Sequence, residues 1–270
     1  MDKEIMALPL EKKIEKSKEI IKKAFEKFGR EKIAVAWTGG KDSTLLLWLV
    51  REVCKELNID LPKIMFIDEG DVFEEVLEFV EKVKKKWNLD VVRVRNDDVL
   101  KQVNKVGDIV KVDLLNERNR KELEKIGFKG KEFPFEPESY VGNHLMKTVV
   151  VKMFLEENGC KALITGVRWD EQEARVNETY FSPRSDPDHI RVHPILHFTE
   201  RNVWETIHKY KIPINPLYEK GYRSLGAKST TRKTDDKPAW EQDFEKIPER
   251  AGRGQDKEKL MERLRELGYM

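Results

Sequence analysis

A chain of 270 residues can bury an ordinary hydrophobic core, as one large domain or as one domain with a substantial extension. Its 52 basic side chains nearly cancel its 50 acidic ones, so no overall field marks it as a nucleic-acid or membrane-surface binder. Its two cysteines, Cys54 and Cys160, form no C-x-x-C pair, which excludes a disulfide framework, a structural zinc site and an iron–sulfur cluster built from this chain alone; no apolar run reaches the ~20 residues of a spanning helix, and a cytoplasmic protein is expected.

Residues 10–28 set Ile14, Ile20, Ile21, Ala24 and Phe25 at helical spacing among lysines and glutamates, which predicts an amphipathic helix ending near Gly29. The short β-branched run 32–37 reads as a strand, and helical periodicity resumes over 45–57. The alternation then recurs as strand 63–67, helix 72–87, strand 91–94, helix 140–158 and strand 162–165. Strands alternating with helices predict an α/β fold with a doubly wound, mostly parallel sheet, expected to be five-stranded with helices on both faces. Residues 101–138, with a helix over 116–126 between poorly patterned segments, read as an insertion. Beyond 165 the chain is loop-rich apart from a helix at 200–210, and 223–254 is irregular, polar and expected to be partly mobile.

In sheets of this kind ligands bind beyond the carboxyl ends of the strands. Directly after the first strand come Thr38, Gly39, Gly40, Lys41, Asp42 and Ser43. Two glycines let the backbone turn sharply and approach a ligand closely, and the following helix offers unpaired N–H groups and a positive dipole end to an anion. Lys41 adds a charge, Thr38 and Ser43 add hydroxyl donors, and Asp42 is suited to orienting the loop or holding a magnesium ion. On the glycines alone the segment reads as an ordinary strand-to-helix turn with Ser43 as a helix cap. Its spacing fits neither G-x-x-x-x-G-K-[ST] nor G-x-G-x-x-G.

The whole hexad resembles the S-G-G-x-D-S loop of the adenine nucleotide α-hydrolase superfamily, which includes ATP pyrophosphatases and sulfonucleotide reductases, with Thr38 in place of serine. The segment 66–70 (FIDEG) is similar to V-D-T-G of the same families, departing at Glu69. The segment 144–148 (HLMKT) resembles H-x-x-M-K-T of the small subunit of bacterial ATP sulfurylase, and 166–175 (GVRWDEQEAR) resembles the G-x-R-R-D-E-x-x-x-R element shared with phosphoadenylylsulfate (PAPS) reductases, with Trp169 replacing an arginine. Residues 191–204 and 212–218 resemble H-P-x-x-x-W-T-x-x-D-V-W and I-P-x-N-P-L-Y, while 221–226, 249–253 and Gly268-Tyr269 are similar to the sulfurylase subunit.

The resemblance implies an N-terminal helix (1–30), a nucleotide-binding α/β domain (31–210) and a loop-rich C-terminal extension (211–270). It implies ATP, or adenylylsulfate or phosphoadenylylsulfate (APS or PAPS), with magnesium at Asp42. Lys41, Asp42, Arg168 and Arg175 are the candidate catalytic residues, the arginines being suited to clamping phosphate or sulfate oxygens in bidentate fashion. Trp37, Thr38, Gly39, Gly40, Ser43, Thr44, Asp68, Lys147, Gly166 and Asp170 are the candidate nucleotide-binding residues. His144 and His193 coincide with motif positions.

A sulfonucleotide reductase of this superfamily attacks sulfur with a cysteine near its C-terminus, and only a thiolate is nucleophilic enough. This tail has none, and Ala227 and Thr230 stand where cluster-bearing relatives read C-x-x-C. Attack by an oxyanion such as sulfate on the α-phosphate of ATP, with pyrophosphate leaving, needs no thiol and is the expected reaction. A reductase-like enzyme with an external thiol, a base-adenylating tRNA-thiolating relative and a non-catalytic nucleotide-binding module are the alternatives. A larger GTPase subunit or a homo-oligomer is the partner that the resemblance implies.

Overall fold

A computed structural model describes residues 1–253. The Gly268-Tyr269 match and the end of the expected 211–270 extension lie outside the described residues.

A short helix α1 (Lys3–Met6) precedes α2 (Leu10–Phe28), whose Ile14, Ile20, Ile21, Ala24 and Phe25 are all buried, as their spacing requires. The all-apolar β1 (Ile33–Ala36) leads into α3 (Lys41–Leu57), on which α2 packs. Then follow β2 (Lys63–Ile67), α4 (Glu74–Trp87) and β3 (Val91–Val94). The short α5 (Asp97–Leu100) leads into the insertion, which carries β4 (Ile109–Lys111), α6 (Glu117–Lys125) and β5 (Glu132–Pro134). Next come α7 (Tyr140–Asn143), one wide π turn (His144–Thr148), α8 (Val149–Glu157) and β6 (Ala162–Ile164). The last elements are β7 (Phe181–Arg184), β8 (His189–Val192) and α9 (Glu200–Lys209).

The main sheet runs β3-β2-β1-β6-β8-β7. Every pairing is parallel except β7 with β8, so β1 sits centrally with its burial on both faces. The sheet therefore has six strands and not the expected five. The extra edge hairpin escapes the sequence pattern because FSPR and HIRV are four residues each and mix proline and charge into their alternation. Their strand character comes from pairing, β8 with β6 and β7 with β8, which tertiary context supplies.

The insertion is a small folded unit: β4 and β5 pair antiparallel, and Val110, Leu123, Phe133 and Phe135 pack on Leu145, Met146 and Val149. Asn96 and Asn119 exchange side-chain hydrogen bonds of 3.0 and 3.1 Å beneath it. Residues 223–253 are irregular, as expected, yet packed and not loose: Arg223, Ala227, Thr231, Ala239, Gln242 and Glu249 are buried. Thr231 bridges Arg253, and Leu217, Tyr218 and Ala239 join the main core. This segment lies over the carboxyl ends of β1 and β6.

Candidate functional site

The β1–α3 loop is held from within. Thr38 donates its backbone N–H to Ser43 Oγ at 3.1 Å, the two hydroxyls lie 3.0 Å apart, and Ser43 Oγ reaches the Gly40 carbonyl at 3.1 Å. Gly39 has φ +73°, a conformation that favours glycine. At Gly166, a Cβ would stand 3.1 Å from the Asp42–Ser43 peptide, so the missing side chain is what lets the end of β6 approach the loop. Tyr218 accepts a 2.8 Å hydrogen bond from the Lys41 N–H and thereby satisfies one of the first donors of α3.

The charges beside the loop form one buried network. Lys41 Nζ donates to Glu249 at 2.5 Å and to the Arg223 carbonyl at 3.1 Å, with Asp42 at 3.5 Å. Burial opposes its charge, but Glu249, with Tyr218 and Glu200, more than offsets this and leaves its pKa raised. Arg168 is wholly buried; its Nε donates to Asp170 at 2.8 Å, and its two terminal nitrogens pair with Asp42 and Glu249. Arg175 pairs with Glu171, to which Arg250 also donates at 2.9 Å, and Arg253 pairs with Glu138 at 3.0 Å. Burial pulls the Arg175 and Arg253 guanidinium groups below their ordinary range against their carboxylate partners, and neighbouring Arg250 adds to it. The Nε atoms of Arg175 and Arg253 are buried without a hydrogen-bond partner. Three guanidinium groups thus gather at one edge with donor capacity left over, which suits an anion.

Two cavities meet at this edge. One, of about 210 Å³, is lined by Thr38, Gly40, Lys41, Asp42, Ser43, Gly166, Glu171 and Tyr218. The other, of about 270 Å³, is walled on one side by Ala36, Met65, Ile67, Val151 and Leu163 and also touches Glu138, Asn143 and Lys147. Ala36, Thr38, Thr165, Val167, Arg175, Arg250 and Arg253 line both, so the cavities adjoin.

Of the expected site residues, Thr38, Gly40, Lys41, Asp42, Ser43, Gly166 and Arg175 share the first wall, and Lys147 stands on the second, paired with Glu69 at 2.6 Å and Glu138 at 3.1 Å. Others sit elsewhere. Trp37 is fully buried in the core, where its indole N–H donates to Thr44 Oγ1 at 3.0 Å, so both brace the loop from behind. Gly39 packs on Val76 of α4. Asp68 lines a different cavity, bonded to Arg93 at 2.6 Å. Asp170 ties Arg168 to the Glu200 N–H, the latter at 2.7 Å. Arg168 is no open clamp, because three carboxylates already occupy its nitrogens. Sequence reasoning gave no role to Tyr218, Glu171, Glu249, Arg250, Arg253 or Thr165; the 212–218, 166–175 and 249–253 matches were the signal for the first five, and Thr165 lies in no match.

Both cysteines are buried away from this edge, and burial pushes the Cys54 thiol up to about 11. Neither is a ready thiolate. Asp42 is the loop's one carboxylate; among the described residues no group of three His, Cys, Asp or Glu side chains is placed to hold a metal ion. No helix of the described residues is long and apolar enough to cross a membrane.

The six-stranded sheet with its glycine-and-hydroxyl loop at the carboxyl end of β1 is an adenine nucleotide α-hydrolase-like fold. Residues 32–233 match the phosphoadenosine phosphosulfate reductase domain, and the chain belongs to that family. It is 25% identical over 203 residues to the adenosine 5'-phosphosulfate reductase of Bacillus cereus, covering 75% of this chain and 74% of that protein. It is 28% identical over 207 residues to sulfate adenylyltransferase subunit 2 of Rhizobium meliloti, covering 68% of this chain but 60% of the relative. A match at 29% identity to an uncharacterized protein of Methanocaldococcus jannaschii covers 76% of this chain and 37% of that one. Among solved structures, FMN adenylyltransferase of Candida glabrata superposes with a TM-score of 0.63 at 18% identity, covering 94% of each chain. Phosphoadenylyl-sulfate reductase of Candida auris gives 0.57 at 18% identity, covering 80% of this chain and 90% of that one.

Proposed function

We propose that the chain binds an adenine nucleotide across the two joined cavities and transfers its adenylyl group to an oxyanion such as sulfate, releasing pyrophosphate. The observation that carries this reading is the meeting, at one sheet edge, of an anion-binding loop with a cavity whose apolar wall suits a purine. The base would lie against Ala36, Met65, Ile67 and Leu163, and the phosphates on Thr38, Gly40 and Ser43. The acceptor would sit near Arg175, Arg250 and Arg253, which line both cavities, the Nε atoms of Arg175 and Arg253 being without a hydrogen-bond partner. In the reaction an acceptor oxygen bonds to the α-phosphorus while the bond to the bridging oxygen breaks, and pyrophosphate departs with the electron pair; nothing is oxidised or reduced. Lys41 and the loop N–H groups stabilise the charge that gathers on the leaving group, a role of electrostatics and positioning. Magnesium typically takes one or two carboxylates plus substrate phosphates, and Asp42 fits that habit. Arg168 acts through others, holding Asp42 and Glu249 in place.

Residues 211–253 belong functionally to this site under the same reading, since Tyr218, Arg250 and Arg253 line it. Similarity to a protein named subunit 2 supports a requirement for a partner subunit. Similarity to the Bacillus cereus reductase supports a second reading, sulfonucleotide reduction with a thiol supplied from outside. Pyrophosphate release from ATP and magnesium, with and without sulfate, tests the first. Sulfate-dependent release, lost in Lys41→Ala and Asp42→Ala, is the expected result. Sulfite release from APS with added thiol, and no pyrophosphate release from ATP, would favour the second.

A further inference from the structure

Thr165 follows β6 and is one of seven residues lining both cavities, at the place where base and phosphates would be joined. Behind it a chain of buried polar groups leads away from the site. Thr165 Oγ1 lies 2.7 Å from His193 Nδ1, and the far nitrogen of that imidazole, Nε2, faces Glu178 Oε2 at 3.5 Å. Glu178 is fixed by Ser182 Oγ at 2.6 Å and by Arg184 at 3.0 and 3.1 Å, both from the antiparallel edge strand β7. Thr165, Glu178 and His193 are all buried.

The direction of the protons follows. Burial holds the His193 pKa down at about 4 against the pull of Glu178, so the ring is neutral near pH 7 and carries one proton. Glu178 is ionised: burial would raise its pKa, but His193, Ser182 and Arg184 outweigh burial and lower it. A carboxylate beside Nε2 puts the ring proton there, because the other tautomer would set a lone pair against a negative charge. Nδ1 is then an acceptor, and the Thr165 hydroxyl must donate to it. With its only proton committed, the Thr165 hydroxyl can act only as an acceptor towards a ligand group that reaches it.

We propose that Thr165 is a specificity-determining residue that accepts a hydrogen bond from a ribose hydroxyl of the bound nucleotide, selecting a nucleotide in which that hydroxyl is free over one in which it is absent or esterified with phosphate. The proposal rests on the reading that an adenine nucleotide occupies the joined cavities. An acceptor-only oxygen rewards a ligand donor and repels a phosphate oxygen, which has no proton to give. His193 and Glu178 are positioning residues that keep the hydroxyl in this state, and the edge hairpin β7–β8 is what brings them there.

Calorimetric titration of the full chain with magnesium and no sulfate, using ATP, 2'-deoxy-ATP and 3'-deoxy-ATP, tests the contact. The wild-type chain should bind one of the two deoxy analogues about five- to tenfold more weakly than ATP, the size of one net hydrogen bond. Thr165→Val should weaken ATP by a similar factor yet leave that same analogue unchanged, and Thr165→Ser should restore ATP binding. Equal binding of all three nucleotides to the wild-type chain overturns the proposal without recourse to any variant. So does a Thr165→Val loss shared equally by all three, the mark of a structural role alone. Failure of the wild-type chain to bind ATP overturns the adenine-nucleotide reading and this proposal together, whereas ATP binding insensitive to Thr165→Val overturns this proposal only.

Discussion

Glu249 Oε1 and Lys41 Nζ, separated by 208 residues of chain, lie 2.5 Å apart, and the second oxygen of the same carboxylate accepts from Arg168. One acidic side chain of the C-terminal segment thus neutralises the lysine of the phosphate loop and its buried arginine at once. Removing one partner of a buried ion pair leaves the other charge uncompensated, at a cost of about 3–5 kcal/mol. Glu249→Gln is therefore expected to lower the thermal midpoint of the ligand-free chain markedly. Pyrophosphate, an anion able to satisfy the stranded Lys41 on the cavity wall, should raise the midpoint of the variant by more than it raises that of the wild type. Equal shifts in the two proteins would show that Lys41 does not face the anion-binding space.

The approach of β6 to the loop gives a second prediction. A methyl group at Gly166 would press on the backbone of Asp42 and Ser43 at 3.1 Å, and backbone cannot rotate away as a side chain can. Gly166→Ala should cost about 1–3 kcal/mol of stability, the ordinary range for overpacking. It should also weaken ATP by roughly tenfold as the loop withdraws, which corresponds to about 1.4 kcal/mol. Denaturant unfolding and calorimetry on the same variant separate the two effects; unchanged ATP affinity would contradict the placement of the phosphates on this loop.

Much of this was legible in the sequence where local pattern and tertiary packing agree. The helix over 10–28 and the strands over 63–67 and 91–94 have the bounds that periodicity assigned. The edge hairpin was not legible, because nothing in FSPR or HIRV announces a strand until β6 is beside the second and the second beside the first. The phosphate loop was legible as a hexad, yet roles within it were not. Trp37 and Thr44 look the same in sequence whether they face a ligand or, as here, each other. Arg168 read as a clamp because a sequence cannot show that Asp42, Asp170 and Glu249 converge on one guanidinium. Long-range ion pairs of that sort depend on loops whose courses the local pattern leaves open.

The insertion offers a test of its independence. Asn96 donates to Asn119 and to the Leu145 carbonyl, each at 3.0 Å, and accepts from Asn119 at 3.1 Å, all in a buried setting. Asn96→Ala strands these groups and should cost about 1–3 kcal/mol. The loss should appear as faster amide exchange in α6 and the β4–β5 hairpin, with β1 and β2 little affected. Uniform acceleration throughout the sheet would mean that the insertion opens only with the main core.

Buried neutral histidines set the response to acid. His193 and His197 have pKa values held down from 6.5 to about 4, chiefly by burial. His197 Nε2 lies 3.0 Å from the Lys13 carbonyl and Nδ1 lies 3.1 Å from the Tyr180 hydroxyl, so its neutral ring is fully used. In the unfolded chain each ring takes up a proton near 6.5, whereas in the folded chain it does so only near 4. The unfolded state therefore binds more protons between those values, and stability rises with pH across that window. The contribution is complete above about pH 6.5 and is lost progressively as the pH falls towards 4, on the order of 3 kcal/mol for each histidine. Urea unfolding at a series of pH values should show this slope, and His197→Gln, which does not titrate, should reduce it. A stability that stays flat from pH 6.5 to 5, in wild type and variant alike, would mean that these rings are protonated as readily in the folded chain as in the unfolded one.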